Sequence, residues 1–388
     1  MVSRYRNFVT HLECALTGEI YPAGQVHGMS KAGRPLVVRY DLPALKAALA
    51  RDDIERRPGG LWKYREFLPV VHDENVIVRG EVATPLIRLE NLAPAGAEIW
   101  IKDEGRLPTG SFKARGLALA VSMAKELGLR HLAMPTNGNA GAALAAYANA
   151  AGIRATVFCP DDTPPLNIAE IEMQGVEVHR VKGLINDCGR LVGEGAARGD
   201  WFDVSTLKEP YRIEGKKTMG LELAEQFGWE LPDAIFYPTG GGTGLIGMWK
   251  AFAELRAIGW LGPKRPRMIA VQARGCAPIV KGFEDGVEHV PLWPNAHTIA
   301  AGIRVPVAIG DFIILRAVRE SGGFALAVDD AAIIAARNEV ARREGILLCP
   351  EGAATWAAYK LALTQGRIAA GDRCVLFNCA SGLKYPLA

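Results

Sequence analysis

The chain has 388 residues, 49% hydrophobic and 22% charged, which is more than one hydrophobic core usually grows to fill, so two domains and an extension are expected. Its 45 basic and 42 acidic side chains nearly balance, at a formal charge of +3, and no Lys/Arg block is interleaved with aromatics; nucleic-acid binding gains no support. No run approaches the ~18 apolar residues of a membrane span and no apolar signal core follows the first six residues, so a soluble cytoplasmic protein is expected.

Residues 1–75 are rich in turns and read as an extension. Within them, residues 12–18 and 33–41 resemble the two knuckles of a small zinc ribbon. Only Cys14 stands where paired cysteines are required, so a tetrahedral zinc site cannot be assembled and a packing appendage is expected. The seven cysteines are scattered without a CxxC pair, which argues against a disulfide framework or a metal centre. The aromatic and basic segment Trp62-Lys63-Tyr64-Arg65 comes next, then residues 80–86.

From Glu98 onward a strand, short loop, helix pattern repeats. Strands are expected at 99–102, 132–135, 156–159, 176–181, 202–204, 234–237, 268–271 and 375–378. Helices are expected from Lys113, where Leu117, Ala118, Val121, Ala124 and Leu127 recur with helical spacing, and at 140–151, 221–227, 245–257, 331–344 and 353–363. This alternation implies parallel sheets covered by helices on both faces, with ligands collected beyond the carboxyl ends of the strands.

Several strand-to-helix turns carry residues suited to chemistry. In Leu107-Pro108-Thr109-Gly110-Ser111-Phe112-Lys113 a turn runs into a lysine at a helix start. If it is partly desolvated in a crevice, its ammonium form is disfavoured and its amine can form a Schiff base; a solvated first-turn charge is the plain alternative. Tyr237-Pro238-Thr239-Gly240-Gly241-Gly242-Thr243-Gly244 lies between a strand and a helix, where glycines allow close approach and loop N–H groups attract an anion. It has neither the Gly-Lys-Ser/Thr ending of a Walker loop nor dinucleotide spacing, and a flexible turn is the alternative. In Pro135-Thr136-Asn137-Gly138-Asn139, Asn139 can donate its amide to a ring oxygen or carboxylate, with Thr136 and Asn137 as further donors; helix capping is the alternative. After the last strand, Cys379 or Ser381 offers a neutral donor or acceptor, or else a small buried turn. Glu351 either lines the crevice or is a helix-start carboxylate.

Pro108-Thr109-Gly110-Ser111-Phe112-Lys113, Gly138-Asn139-Ala140-Gly141, Pro238-Thr239-Gly240-Gly241-Gly242-Thr243-Gly244 and Gly382-Leu383-Lys384 occur in the order found in fold-type II pyridoxal-phosphate enzymes, which the chain resembles along nearly its whole length. Trp62-Lys63-Tyr64-Arg65, residues 81–86 and the ribbon-like start are similar more specifically to the threonine synthase family, in the branch shared by plants and many bacteria. The resemblance implies an α/β fold of two three-layer parallel-sheet domains, of the tryptophan synthase beta type. Residues 1–75 are then an extension resembling a degenerate zinc ribbon, 76–115 and 205–388 a large cofactor domain, and 116–204 a small domain.

The resemblance also implies pyridoxal 5'-phosphate as cofactor and no metal. Lys113 is expected to hold the cofactor covalently and then to move protons among the substrate carbons. Gly240, Gly241, Gly242, Thr243 and Gly244 are expected around the cofactor phosphate, Asn139 on the ring hydroxyl, and Cys379 against the pyridine nitrogen, where a neutral partner weakens the ring as an electron sink. The implied activity is a carbon–oxygen lyase turning O-phospho-L-homoserine and water into L-threonine and phosphate. Arg212 is expected to bind the substrate phosphate, and Thr136 and Asn137 stand where the family places hydroxyl residues.

The implied partners are a phosphorylated small-molecule amino acid and a second copy in a homodimer, with no nucleic acid or membrane. The alternative on the same scaffold is a serine/threonine dehydratase or β-replacement enzyme. A nucleotide-binding oxidoreductase, the alternative of another class, leaves Lys113 without a role. The chain departs from the family where a Ser-Thr pair is Thr136-Asn137, an aspartate is Ala114, and two asparagines are Gly241 and Thr206. Each change removes a polar group able to recognise phosphohomoserine.

Overall fold

The computed structural model describes residues 5–386. The chain opens with β1 (Val9–Cys14), β2 (Ile20–Pro22), β3 (Leu36–Tyr40), α1 (Leu42–Ala48) and α2 (Arg51–Glu55). Then come β4 (Leu86–Arg88), β5 (Glu98–Asp103), α3 (Lys113–Glu126), β6 (His131–Pro135), α4 (Asn139–Ala151), β7 (Arg154–Pro160), α5 (Pro165–Met173), β8 (Glu177–Val181), α6 (Ile185–Arg198) and β9 (Phe202–Asp203). The remainder is α7 (Tyr211–Gln226), β10 (Ala234–Pro238), α8 (Thr243–Ala257), β11 (Arg267–Ala273), α9 (Pro278–Glu284), α10 (Asp311–Glu320), β12 (Phe324–Val328), α11 (Asp330–Glu344), α12 (Pro350–Thr364) and β13 (Arg373–Asn378). Among the described residues, no helix is long and apolar enough to cross a membrane.

The chain divides into two compact units. The first runs through Ala83 and takes Lys113–Glu225 and Gly247–Leu261; the second takes Thr84–Phe112, Gln226–Ile246 and the chain from Gly262 onward.

In the first unit, β2-β1-β3 form an antiparallel sheet. The Cys14 thiol donates to Ser30 Oγ at 3.2 Å, and the Thr17 N–H donates to Cys14 Sγ at 3.4 Å. Hydrogen bonds thus close the turns that a metal closes in a zinc ribbon. A second sheet, β8-β7-β6-β9, is entirely parallel.

Helices α3 and α7 cross with their backbones in contact. A Cβ on Gly215 would lie 2.1 Å from the Arg115 carbonyl oxygen, and one on Gly116 would lie 3.1 Å from that of Arg212. Only glycine permits this approach. Around the crossing, buried charges are paired: Arg115 with Glu222 at 3.0 Å, and Lys217 with Glu214 at 2.7 Å and Glu254 at 2.8 Å. Tyr40 of β3 donates its hydroxyl to Glu214 at 2.7 Å, which ties the N-terminal sheet to α7.

In the second unit the order is β12-β11-β10-β13-β5-β4, parallel except for β4 on β5. Strand β10 is buried along its whole length, as expected for a parallel strand covered on both faces. Phe236, Ile269, Leu326, Trp356 and Tyr359 belong to one core cluster beside it. The chain from Gly262 to Leu348 also contains β12, α9 and α10, none of which was expected from the sequence.

Candidate active site

The second unit places the glycine loop and Cys379 at the carboxyl ends of neighbouring parallel strands, β10 and β13. Thr239 N–H donates to the Val271 carbonyl at 2.8 Å, and Gln272 Nε2 donates to the Thr239 carbonyl at 2.9 Å, which fixes the loop's first residue. Gly242 has φ 71, and a Cβ there would lie 2.2 Å from Ile314 Cδ1; a Cβ on Gly240 would lie 3.1 Å from Ile303 Cα. The loop is therefore pressed on the protein in a conformation that side chains rarely adopt, and it leads directly into the 15-residue helix α8. A helix N-terminus has N–H groups without intrahelical partners and a positive dipole end, so the loop fits the phosphate of a cofactor.

Glu351, at the start of α12, accepts the Gly302 N–H at 2.6 Å. Gly302 and Ile303 back Gly240, so this acid holds the floor beneath the glycine loop. Cys379 is buried, and its carbonyl accepts the Phe112 N–H at 2.9 Å, while Ser111 pairs with Ala380. Asn378 donates to Asp103 at 2.8 Å and accepts the Cys349 N–H at 3.0 Å. The peptide immediately before Lys113 is thereby fastened to the end of β13.

The other expected residues, Lys113, Thr136, Asn137, Asn139 and Arg212, fall in the first unit. Lys113 is the first residue of α3, as its sequence context suggested, and is half-buried. Lys113 stands three residues before Gly116, and Arg212 three before Gly215. The glycine crossing therefore sets the first turns of α3 and α7 side by side, with the Arg212 carbonyl in the contact and Lys113 one turn before Gly116.

Thr136 follows β6, and its Oγ1 accepts the N–H groups of Gly138 at 3.0 Å and Gly141 at 2.9 Å. Both lone pairs hold the loop in place, and the hydroxyl proton is what Thr136 offers an outside acceptor. Asn139 opens α4 and is buried, while Asn137 is half-buried. Gly138 has φ 121, and Asn167 of α5 fills the space a side chain there would need, with its Nδ2 2.6 Å from the position of a Cβ.

Arg212 is 1% exposed; it donates from Nη1 to the Val204 carbonyl at 2.8 Å, and its Nε has no hydrogen-bond partner. A buried guanidinium with an unused N–H is matched to an anionic ligand. The turn before it contains groups not foreseen from the sequence. Lys208 pairs with Asp203 at 3.0 Å, and Leu207 adopts φ 64. The Glu209 carboxylate accepts the N–H groups of Tyr211 at 2.8 Å and Arg212 at 2.9 Å. Burial pushes the Glu209 carboxyl up to about 7, against the opposing influence of Arg212 and the two N–H bonds. In the sequence Glu209 reads as an ordinary loop acid; its one signal is its place three residues before an arginine at a helix start.

Comparison with known proteins agrees with these features. The family described as pyridoxal-phosphate dependent enzyme matches residues 77–380. The threonine synthase of Methanocaldococcus jannaschii is 32% identical over 376 residues, covering 96% of this chain and 92% of its own. That of Methanosarcina acetivorans is 33% identical over 380 residues, covering 97% and 92%. Among solved structures, threonine deaminase isoform 2 from Solanum lycopersicum superposes with a TM-score of 0.65 at 21% identity, covering 84% of this chain and 92% of that one. Maize serine racemase does so with 0.65 at 22% identity, covering 77% and 88%. At such identities these structures establish the fold.

Proposed function

Since the chain belongs to the pyridoxal-phosphate dependent enzymes and, within them, to the threonine synthase family, we propose that it converts O-phospho-L-homoserine and water into L-threonine and phosphate. Its cofactor is pyridoxal 5'-phosphate, and its substrates are small amino acids. The observation that carries the finer reading is Arg212, buried with its Nε unpartnered, at a helix start set beside that of Lys113.

When bound, the cofactor supplies an electron sink that lets hydrogens on the substrate's carbons leave as protons. Lys113 Nζ would hold the cofactor, and its amine would take and return those protons. The amides of Gly240–Gly244 would hold the cofactor phosphate without any formal charge, Asn139 would donate to its ring hydroxyl, and Cys379 would offer its ring an uncharged partner. Arg212 grips the substrate's phosphate in a fork of N–H groups and offsets the negative charge that grows as the γ-carbon–oxygen bond breaks. Thr136 keeps the loop before α4 in shape, and Asn137 contributes a donor beside it. Water then completes the product. A cytoplasmic homodimer belongs to the same reading, closed two-fold assemblies being the commonest among soluble oligomers.

One observation favours a second reading, a threonine dehydratase. Glu209 places a negative charge next to Arg212 and lowers that turn's attraction for a dianion. Supplying phosphohomoserine and L-threonine in parallel separates the two. Phosphate release with threonine formation supports the synthase, whereas 2-oxobutyrate formed from threonine, with phosphohomoserine untouched, rejects it.

A further inference from the structure

We propose that Glu209 is a specificity residue that balances the ligand's charge: it is ionised while Arg212 carries no ligand, and it takes one proton from solvent when a phosphate dianion docks there. The inference rests on the reading of Arg212 as the residue that binds substrate phosphate.

The turn from β9 into α7 gathers two cations, Lys208 and Arg212, and two acids, Asp203 and Glu209. By itself the turn is neutral. Lys208 lies 3.0 Å from Asp203, which also accepts the Ser205 N–H at 2.9 Å and the Ser205 hydroxyl. Both bonds to the Glu209 carboxylate come instead from backbone N–H groups, one of them Arg212's own. The Glu209 carboxylate therefore sits at the N-terminus of a 16-residue helix, where any docking anion is drawn, and on the same turn that carries the guanidinium.

A dianion arriving at Arg212 changes the balance to four negative charges against two positive. Arg212 is 1% and Glu209 3% exposed, so little water screens them from a ligand between them. Like charge favours the protonated form of an acid. The groups that face Glu209 are Arg212 and Tyr211 on α7 and Asp203 on β9. Of the two acids, Asp203 has a lysine to stabilise its charge and Glu209 does not. Burial already holds the Glu209 carboxyl near neutrality, so one more negative group tips it within the working pH range.

The proton balance closes over a turnover. One proton enters from solvent with the phosphorylated substrate and leaves after free phosphate departs. The restored carboxylate then disfavours rebinding of the product. A neutral ligand meets no such repulsion at Glu209, whereas a dianion is penalised and the proton limits that penalty, so the acid discriminates by ligand charge.

The test is calorimetric titration of the holoenzyme with inorganic phosphate at pH 8, in two buffers of unlike ionisation enthalpy. Wild type, Glu209→Gln and Arg212→Ala are compared. Wild type is expected to take up roughly one proton per phosphate bound. Glu209→Gln is expected to take up none and to bind phosphate about tenfold more tightly at this pH, with the cofactor's visible spectrum unchanged. Equal uptake in wild type and Glu209→Gln, or no uptake by wild type while Arg212→Ala loses phosphate, overturns the inference and leaves the reading of Arg212 standing. Phosphate binding that survives Arg212→Ala overturns that reading and the inference with it. Should Glu209→Gln fail to fold, wild type is titrated with sulfate, which stays a dianion over this range: its proton uptake must rise as pH passes through about 7, and uptake flat from pH 6 to 8 refutes the inference.

Discussion

The turn from β10 into α8 has no charged side chain between Pro238 and Leu245, and its Gly240 and Gly242 lie so close to Ile303 and Ile314 that a side chain at either would collide. The turn from β9 into α7 is built the opposite way, with Asp203, Lys208, Glu209 and Arg212 within ten residues and a non-glycine residue, Leu207, at φ 64. Both lead into a helix of fifteen or sixteen residues, so both have an anion-attracting end. The first is assigned to a phosphate that stays with the enzyme and the second to one that arrives and departs in each turnover. Backbone N–H groups bind at any pH, which suits a resident group. Side-chain charges can be offset by a proton, which suits a visitor.

Lys113→Ala breaks both assignments at once and has the largest expected effect. Turnover should fall by about a thousandfold or more, because the residue that moves protons is gone. The visible band of the covalently held cofactor should vanish with it. A band that persists, and that borohydride reduces to a permanent link between cofactor and chain, removes Lys113 from the site. Arg212→Ala comes next, with a loss of about a hundredfold in kcat/KM for phosphohomoserine and an unchanged cofactor band, since only the second turn is touched. Unaltered kinetics would take this arginine out of substrate recognition.

The two turns were also unequally legible in the sequence. The glycine loop lies between β10, whose residues are almost all apolar, and α8, and both were read within two residues of their observed ends. The first turn of α3 was placed correctly at Lys113 for the same reason. Helix α7, in contrast, is legible in the sequence only at 221–227, although it begins at Tyr211. Its first ten residues include Arg212, Glu214, Lys216 and Lys217, all buried. Hydrophobic periodicity cannot detect a helix whose buried face is charged. The partners that make burial tolerable there, Tyr40, Lys250 and Glu254, are far away in the sequence. The Gly116–Gly215 contact that sets the first turns of α3 and α7 side by side is equally invisible, because each glycine alone reads only as a weak helix residue. The same holds for Asn167 behind Gly138 and for Glu351 beneath Gly240, whose roles come from neighbours brought in by the fold.

Gly242→Ala sharpens the contrast from the neutral turn. At φ 71, with Ile314 Cδ1 2.2 Å from the added Cβ, the methyl group must displace either the loop or the isoleucine, at a cost of roughly 1–3 kcal/mol. Unfolding experiments and cofactor release on dialysis should both register it, and to the same extent at pH 6 and pH 8, because no titrating group is involved. A penalty that changes with pH would show that the glycine loop is not electrostatically independent.

Glu209→Gln should stabilise where Gly242→Ala destabilises, and only at the upper end of the pH range. The Glu209 carboxyl, raised from its ordinary 4.5 to about 7 by burial, keeps its proton in the folded chain over a range where the unfolded chain has released it. Folding is therefore favoured most below about 4.5, loses stability as pH rises toward 7, and stays at the lower level above it. Glutamine carries no such penalty. The variant should match wild type near pH 4.5 and exceed it by about 1–3 kcal/mol at pH 8, or a few degrees in Tm for a chain of this size. A stability difference that is the same at both pH values would mean that Glu209 does not titrate in this range. The charged turn would then bind its anion as rigidly as the glycine loop is proposed to bind the cofactor phosphate.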